Sequence, residues 1–304
     1  MIPFFRPEAL EIWGPIKIQP WGVLVASGFV LGTLVCQRYA RARGEDPRHY
    51  SDIVVWLAAG GIFFSHMGHA LLYEPARYLA KPWELLYIWE GLSSIGGIAG
   101  CTVVAIVFFR RRNLDVLKFG DLLMLGLTFG WFIGRMGCFV VHDHIGCAVV
   151  DAPGWLQSTL GWLSVDFPQE YARVAIRSPN GTFLRWDNLP TLRFDQGLMD
   201  SLLAGLIFCV LVFLARKPRL PGVVFAATPL LYAPGRFALD FLRNEDLGQA
   251  DTRYMGLTPA QYGAMVMFAG GIFLIFRIRR RTTPWPEPGT KPWVDPPDQS
   301  AGAR

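Results

Sequence analysis

The sequence predicts an all-α, polytopic membrane protein with seven transmembrane helices. Of its 304 residues, 52% are hydrophobic and only 17% are charged, and the mean hydropathy is +0.30, a composition that few soluble domains share. Apolar stretches suited to crossing about 30 Å of hydrocarbon recur along the chain. Basic residues cluster in every second connection, as expected of loops that stay on the cytoplasmic side.

Seven apolar stretches predict the membrane-spanning helices. Each is apolar over a length suited to a helix that crosses the bilayer, which rises about 1.5 Å per residue. In chain order they are Trp21 to Cys36, Ile53 to Tyr73, Ser93 to Phe109, Leu122 to Val141, Leu198 to Ala215, Val223 to Leu242 and Thr258 to Phe276.

The arginines and lysines predict the orientation. They follow the first, third, fifth and seventh spans, so the N-terminus is expected outside and the C-terminus inside. The net charge of +5 mainly reflects this pattern and attraction to anionic headgroups, and it does not indicate nucleic-acid binding. The basic residues are Arg38, Arg41, Arg43 and Arg48, then Arg110, Arg111, Arg112 and Lys118, then Arg216, Lys217 and Arg219, then Arg277, Arg279, Arg280 and Arg281.

The chain is expected to form one membrane domain over residues 21–281, with flanking segments. Residues 1–20 are an external segment that lacks the cleavage site of a removable signal peptide. Residues 141–197 form a long external connection. Residues 282–304 are rich in Pro, Asp and Lys, which predicts a disordered cytoplasmic tail. The five cysteines do not indicate a disulfide framework.

An arginine, an aspartate and two histidines come together at the end of the fourth span. Arg135 lies about two helical turns below the outer interface, where His142, Asp143 and His144 emerge. An ionisable group at membrane depth is costly and is usually functional, so Arg135 is expected to bind a phosphate or carboxylate. The alternative is that Arg135 is a structural charge paired with an acid such as Asp240, and that the histidines are ordinary interfacial residues.

A second arginine lies at the end of the sixth span. Arg236 and Asp240 are four residues apart on one helix face, and Arg243 lies two turns from Arg236. An internal Arg236–Asp240 ion pair is one interpretation. The other is that Arg236 joins Arg135 near the outer leaflet, since a guanidinium suits phosphate oxygens. The two arginines together predict chemistry on an anionic lipid.

Histidines and glycines in the second and third spans form two further groups. His66 and His69 project to one side of a helix, where bonds to backbone carbonyls are favoured over metal ligation. Zinc would require these histidines to converge with the later His-Asp-His triplet. Glycines opening the third span, including Gly96 and Gly97, permit either close helix packing or room for a lipid headgroup. We expect no metal site.

Taken together, these groups resemble the prolipoprotein diacylglyceryl transferases, which are seven-span inner-membrane proteins with an external N-terminus. The family's signature is similar to Gly-Arg-x-Gly-(Asn/Cys)-Phe-x-x-Gly-(Glu/Asp), continuing to a glycine, and it runs here from Gly134 through Asp143 to Gly146. Its Arg-Phe-x-x-Glu-Phe-x-Arg motif is similar to residues 236–243. The resemblance covers nearly all of the chain from Pro20 to Arg279.

The resemblance implies transfer of a diacylglyceryl group from phosphatidylglycerol to the lipobox cysteine thiol of preprolipoproteins, with release of glycerol 1-phosphate. No cofactor is implied, and a monomer in the bacterial inner membrane is expected. Arg135 and Arg236 would hold the phosphate, and Asp143 takes the place of the family's acid. Further residues expected at the substrate are Gly96, Gly97, Gly146, Asp240, Arg243 and His66.

Several positions depart from the family's pattern. The family's Ser-Phe-His-Gly-Gly segment reads Ser-Ser-Ile-Gly-Gly here, so Ile95 replaces a histidine. The family's His-Pro-x-Gln-x-Tyr-Glu segment is reduced to residues 194–200, which keep only an acid at Asp200. His66 and His69 stand where the family has arginine and tyrosine, and Trp21 stands where it has tyrosine.

Two hypotheses follow from the missing histidine. In the first, the protein is an active transferase in which His142, His144 or His66 supplies the lost base, because imidazole titrates near neutral pH. In the second, the protein is a catalytically silent relative that binds phosphatidylglycerol or lipoprotein precursors through its arginines.

Overall fold

The computed structural model describes residues 1–13, 16–88, 91–177, 183–217, 219–247, 253–285, 288–290 and 292–294, most of which are helical. The α-helices are α1 (Pro20–Ala42), α2 (Arg48–Leu72), α3 (Pro75–Ala80), α4 (Ser94–Arg111), α5 (Val116–Val141), α6 (Gly154–Leu160), α7 (Gln196–Ala215), α8 (Val223–Leu239) and α9 (Pro259–Ile278). Short 3-10 helices cover Pro82–Leu86, Val149–Asp151, Gly161–Leu163 and Asp240–Leu242. The strands are β1 (Ile2–Pro3), β2 (Leu10–Trp13), β3 (Ile16–Ile18), β4 (Ile145–Ala148), β5 (Val165–Asp166), β6 (Arg173–Arg177), β7 (Phe183–Asn188) and β8 (Leu192–Asp195).

The protein is mostly helical, as the sequence predicts. Among the described residues, five helices are long and apolar enough to cross a membrane, namely α1, α2, α5, α7 and α9. Helices α4 and α8 occupy the other two predicted positions with 18 and 17 residues. At 1.5 Å per residue they extend about 27 and 26 Å, slightly less than the hydrocarbon thickness of about 30 Å.

The strands are an addition to the predicted all-α class. Four of them form a sheet in the order β1-β5-β8-β4, in which β1 runs parallel to β5 and the other pairs are antiparallel. Two separate hairpins pair β2 with β3 and β6 with β7. Because Ile2 pairs with Val165, the N-terminal segment contributes a strand to the 141–197 connection. Strands β1 and β5 have two residues each, which is too short for a visible sequence period.

The chain divides into two compact units. The first comprises Met1–Leu31, Leu127–Leu211 and Ala226–Phe273, and the second comprises Gly32–Gly126, Val212–Phe225 and Leu274–Arg304. In the first unit, apolar side chains from the connection, the sheet and the helices form two buried clusters. One contains Phe139, Val165, Phe167 and Leu198, and the other Val149, Ala152, Leu156, Phe194, Met199 and Leu242.

Two glycines bring α1 and α5 into backbone contact in the first unit. A Cβ added to Gly28 would lie 2.7 Å from the carbonyl oxygen of Gly130, and one added to Gly130 would lie 2.8 Å from the carbonyl oxygen of Gly28. At such distances a side chain at either position would force the two helix backbones apart. Small residues allow helices to pack closely in a bilayer, where no hydrophobic effect drives them together.

In the second unit, α2 packs against α4 through small residues. Ser93 donates its backbone N–H to Ser65 O at 2.9 Å, and Ser65 Oγ donates to Ser93 O at 2.8 Å. The Ser93 hydroxyl also caps α4 by accepting the N–H of Gly96 at 3.3 Å. A Cβ on Gly96 would lie 2.5 Å from Phe64 O, so the glycine is required by this helix contact.

Residues of the predicted tail also pack in the second unit. Trp285 pairs through its backbone with Arg219, at 2.6 and 3.2 Å. Its ring lies 5.0 Å from the guanidinium carbon of Arg43, which itself donates to Ala215 O at the end of α7 at 2.5 Å. Contacts with the rest of this unit therefore continue past residue 282, whereas residues 295–304 lie outside the described part of the chain.

We expect Gly28→Ala and Gly130→Ala each to lower the melting temperature of the detergent-solubilised protein. Each new methyl group would overlap a backbone oxygen, and overpacking of this kind costs about 1–3 kcal/mol. Gly263→Ala in α9 is the matched control, because a Cβ there meets no atom within 4 Å. Alanine at that position should leave the melting temperature unchanged or raise it. Equal shifts in all three variants would contradict the helix contact.

Candidate active site

Arg135 of α5 forms a buried ion pair in the first unit. Its Nε lies 2.7 Å from Oδ2 of Asp200 on α7, and the two side chains are 19% and 5% exposed. The guanidinium carbon lies 4.9 Å from the ring centre of Trp131. From the sequence, Asp240 is an example of an acid that could pair with Arg135. The structure has such an ion pair, but its acid is Asp200. Removing the partner of a buried charge is costly, so Asp200 stabilises Arg135 in this setting.

Tyr232 of α8 contacts the partner of Arg135 and was not predicted from the sequence. Its hydroxyl donates to Asp200 at 2.9 Å and accepts a hydrogen bond from Trp131 Nε1 at 3.2 Å. The available sequence signal was the spacing of Tyr232 and Arg236, four residues apart on one helix face.

Asp240 accepts from two arginines at the end of α8. Arg236 donates to its Oδ1 at 2.8 Å, and Arg243 Nε donates to the same oxygen at 3.1 Å. Thr258 donates its hydroxyl to the other carboxylate oxygen. Asp240 is fully buried, so these donors compensate the cost of desolvating the carboxylate. The Arg236–Asp240 pair expected from the spacing is present, and it leaves two guanidinium groups on one carboxylate.

Three potential proton acceptors follow Arg135. Ligand atoms of Cys138, Asp143 and His144 lie within 4.8 Å of one another, and Arg135 donates to Cys138 Sγ at 3.8 Å. Nδ1 of His144 contacts Oδ1 of Asp143, and these two side chains are 34% and 40% exposed. Thiolate, imidazole and carboxylate are zinc ligand types. Since the Arg135 guanidinium already contacts the sulfur, we interpret the group as an acid–base cluster.

A cavity of about 570 Å³ opens beside Asp143. It is lined by residues of the N-terminal segment, by Trp21 at the start of α1 and by Val141 at the end of α5. Arg6 and Glu8 give it charged groups of both signs. The cavity gives Asp143 access to solvent and to a ligand, in agreement with the partial exposure of its side chain.

His142, in contrast, is enclosed. Its Nδ1 lies 2.8 Å from Asp195 Oδ2, and the two side chains are 1% and 0% exposed. Four aromatic rings surround the imidazole with centroid distances of 4.9–5.3 Å, those of Phe4, Phe5, Phe139 and Phe167. Burial raises the pKa of the Asp195 carboxyl, and the hydrogen bond from His142 opposes that rise. This environment argues against His142 as a base that meets substrate.

Gly146 is a point of close backbone approach. A Cβ there would lie 2.8 Å from both Leu242 O and Phe194 O, so no side chain fits. Arg193, fully buried, donates to Gly146 O at 3.2 Å, and its guanidinium also pairs with Asp246. Hydrogen bonding to Arg193 holds the pKa of Asp246 below its usual range. Gly146 thus joins β4 to the chain that follows α8.

The remaining predicted residues lie in the second unit. His66 is buried, with Nδ1 3.2 Å from Gly91 O, as the preference for a backbone carbonyl partner suggested. Gly96 contacts the α2 backbone, and Gly97 lies against Ser65 at ordinary van der Waals distance. These contacts favour the helix-packing interpretation of both glycines. The backbone of Ile95 lies in the first turn of α4, but its side chain lies outside the described part of the chain.

Comparison with known proteins identifies the family. A profile of the prolipoprotein diacylglyceryl transferases matches residues 7–277. Phosphatidylglycerol--prolipoprotein diacylglyceryl transferase of Azospirillum brasilense is 29% identical over 286 residues, covering 92% of this chain and 96% of the relative. The enzyme of the same name from Rhodospirillum rubrum is also 29% identical, over 94% of this chain and 97% of its own length. The chain belongs to the prolipoprotein diacylglyceryl transferase family.

Proposed function

We propose that this protein transfers a diacylglyceryl group from phosphatidylglycerol to the lipobox cysteine of preprolipoproteins and releases glycerol 1-phosphate. The names of its relatives specify phosphatidylglycerol and a prolipoprotein as their substrates. Membership of the family and five candidate membrane spans support action on a membrane lipid. The site residues below belong to the first unit, so the proposal does not depend on the second.

The buried arginines of the first unit carry this proposal. Arg135 pairs with Asp200 and Arg236 pairs with Asp240, and the two arginine side chains are 19% and 12% exposed. A guanidinium buried at membrane depth is costly and usually serves a function. A phosphodiester supplies one negative charge and oxygens suited to guanidinium groups.

The reaction is a substitution at carbon. The acceptor thiolate attacks the glyceryl carbon that carries the phosphate oxygen, so a C–S bond forms and that C–O bond breaks. The electron pair of the broken bond leaves on the phosphate oxygen of glycerol 1-phosphate. Arg135 and Arg236 would stabilise the charge on that leaving group, and electrostatic stabilisation of this kind is often the largest catalytic contribution.

We assign proton removal from the thiol to the Asp143–His144 pair. His144 Nδ1 faces the Asp143 carboxylate, an arrangement that leaves Nε2 as the proton acceptor. Asp143 lines the cavity, where an acceptor peptide would have access. His142 lacks such access, and His66 is buried with its Nδ1 at 3.2 Å from Gly91 O. His144 is therefore the candidate for the base that Ile95 cannot provide.

We further propose seven spans, with the N-terminus outside and the C-terminus inside, in the bacterial inner membrane. The helices at all seven predicted positions support the number of spans. The pairing of β1 with β5 supports placing the N-terminal segment on the same side as the 141–197 connection. The basic connections support the orientation.

Single cysteines introduced in a cysteine-free background test this topology. A cysteine at Glu8 or at Asp187 should react with a membrane-impermeant maleimide in intact spheroplasts, whereas one at Thr290 should react only after permeabilisation. The native cysteines are first replaced by serine or alanine, with retained expression as the control. Labelling of the position 290 variant from outside would contradict the proposed orientation.

Arg135→Ala and Arg236→Ala should each abolish complementation in cells depleted of their own transferase. Removing a buried partner of the phosphate costs about 2–5 kcal/mol, or roughly 30-fold or more in rate. Arg110→Ala is the matched control, since Arg110 is an exposed arginine at the end of α4. Membrane-inserted Arg135→Ala or Arg236→Ala protein with full activity would exclude the phosphate site.

The third test distinguishes an active transferase from a catalytically silent relative. Both hypotheses arise because Ile95 replaces the family's histidine. In an assay with phosphatidylglycerol and a lipobox peptide, His144→Ala should lower transfer by about a hundredfold or more, the contribution typical of a positioned base. Ile95→His should then add little. If the wild-type protein transfers nothing and Ile95→His restores turnover, the silent relative is the correct interpretation. Full activity of His144→Ala would refute His144 as the base.

A further inference from the structure

The strongest feature that the proposed mechanism does not use is the buried pair His142–Asp195. His142 directly precedes the two residues assigned to proton removal, but its side chain is 1% exposed and does not line the cavity beside Asp143. A histidine and an aspartate that are both almost fully desolvated are costly to bury, and each stabilises the other. The pair therefore requires an explanation other than contact with substrate.

The backbone of His142 is in an unusual conformation. Its φ is +50°, in the left-handed region that residues with a Cβ seldom adopt. The conformation ends α5 and turns the chain so that Asp143 reaches the cavity. Such a conformation persists when surrounding contacts fix it, and here those contacts are the bond to Asp195 and the four aromatic rings.

Asp195 holds the other side of this junction. Its Oδ1 accepts the backbone N–H of Leu198 at 3.0 Å, so the carboxylate caps the start of α7 while Oδ2 contacts His142. The next residue, Gln196, donates its backbone N–H to His144 O at 2.9 Å. The turn at residues 142–144 is thus bonded to the start of α7 at two points. These are the His142 side chain at the beginning of the turn and the His144 carbonyl at its end.

The same helix leads to the arginine site. Asp200 lies on α7 five residues after Asp195 and pairs with Arg135. A Cβ on Gly197 would lie 2.6 Å from Phe139 N, so the first turn of α7 rests directly on the backbone of α5. A shift of Asp195 would consequently move the acid–base pair relative to the arginine.

We propose that His142 and Asp195 are positioning residues that fix the turn carrying Asp143 and His144 relative to Arg135. This inference rests on the proposed transfer reaction. The pair does not touch substrate, and it acts by holding the proton acceptor where the thiol must lie. A misplacement of about 1 Å in a reacting group can lower a rate by about a hundredfold.

Kinetics of purified variants in nanodiscs containing phosphatidylglycerol test the proposal. His142→Ala and Asp195→Ala should each lower kcat about a hundredfold and leave KM for the lipid within about threefold. The double variant should be no slower than either single variant, because both changes release the same turn. In Asp195→Asn the amide oxygen can still accept the N–H of Leu198, and the amide NH2 can donate to Nδ1 of His142 in its other neutral tautomer, so this variant should recover most of the lost kcat.

Gln157→Ala is the matched control for a general loss of stability. Gln157 donates to Val150 O and Ala152 O in the same unit and does not contact the turn. This variant should lower the melting temperature without changing kcat. His142→Gly serves where His142→Ala fails to fold, because glycine adopts a positive φ without strain. Unchanged kcat in folded Asp195→Ala, equal losses in Asp195→Asn and Asp195→Ala, or multiplying effects in the double variant would each overturn the proposal.

A spectroscopic measurement separates this proposal from the reaction itself. The chain has only five histidines, so ¹⁵N-histidine labelling yields few signals, and His144 is assigned by its loss in His144→Ala. Asp195→Ala should shift the His144 resonance, and Gln157→Ala should not. If wild-type protein transfers nothing, the proposed function fails, but this comparison still reports the coupling. An unmoved His144 resonance in Asp195→Ala would overturn the positioning role.

Discussion

The arrangement of the first unit depends on one close contact between backbones, that of α7 on α5 at Gly197. A Cβ at this position would lie 2.6 Å from Phe139 N and 2.9 Å from Cys138 C, so only glycine allows the approach. Arg135 lies one turn before the contact on α5, and Asp200 lies almost one turn after it on α7. The contact therefore brings an arginine and an aspartate that are distant in sequence within ion-pair distance. The turn after α5 depends on it as well, since Gln196 is the neighbour that bonds His144.

The arginines of the candidate site are paired within the protein. Arg135, Arg236 and Arg243 each have a carboxylate partner, which offsets the cost of burying their charge. Hydrogen bonds from Tyr232 and Thr258 hold the two aspartates in place, so the arginines are presented in a fixed geometry. Fixed donors require little reorganisation when charge develops on a leaving group.

The helices and the local charge pair were predictable from the sequence, and the long-range contacts were not. Hydropathy predicts helices at seven positions that are helical in the structure, and five of these helices are long and apolar enough to cross a membrane. The Arg236–Asp240 pair follows from helical spacing alone. The Arg135–Asp200 pair, in contrast, depends on how α5 and α7 pack, which one sequence does not specify. The role of Gly96 was also not predictable. The sequence shows that this position has no side chain, but it does not show whether a neighbouring helix or a ligand occupies the space.

The N-terminal segment completes the interior of the first unit, and this has a practical consequence for handling the protein. Ile2 and Pro3 form the outer strand of the four-stranded sheet, and Phe4 and Phe5 supply two of the four rings around His142. Trimming these residues would admit water to the imidazole and to its partner carboxylate. A bulky fusion placed ahead of Ile2 would crowd the sheet edge at Val165. Purification tags and fluorescent fusions are better attached after residue 294, which leaves the N-terminal strand intact.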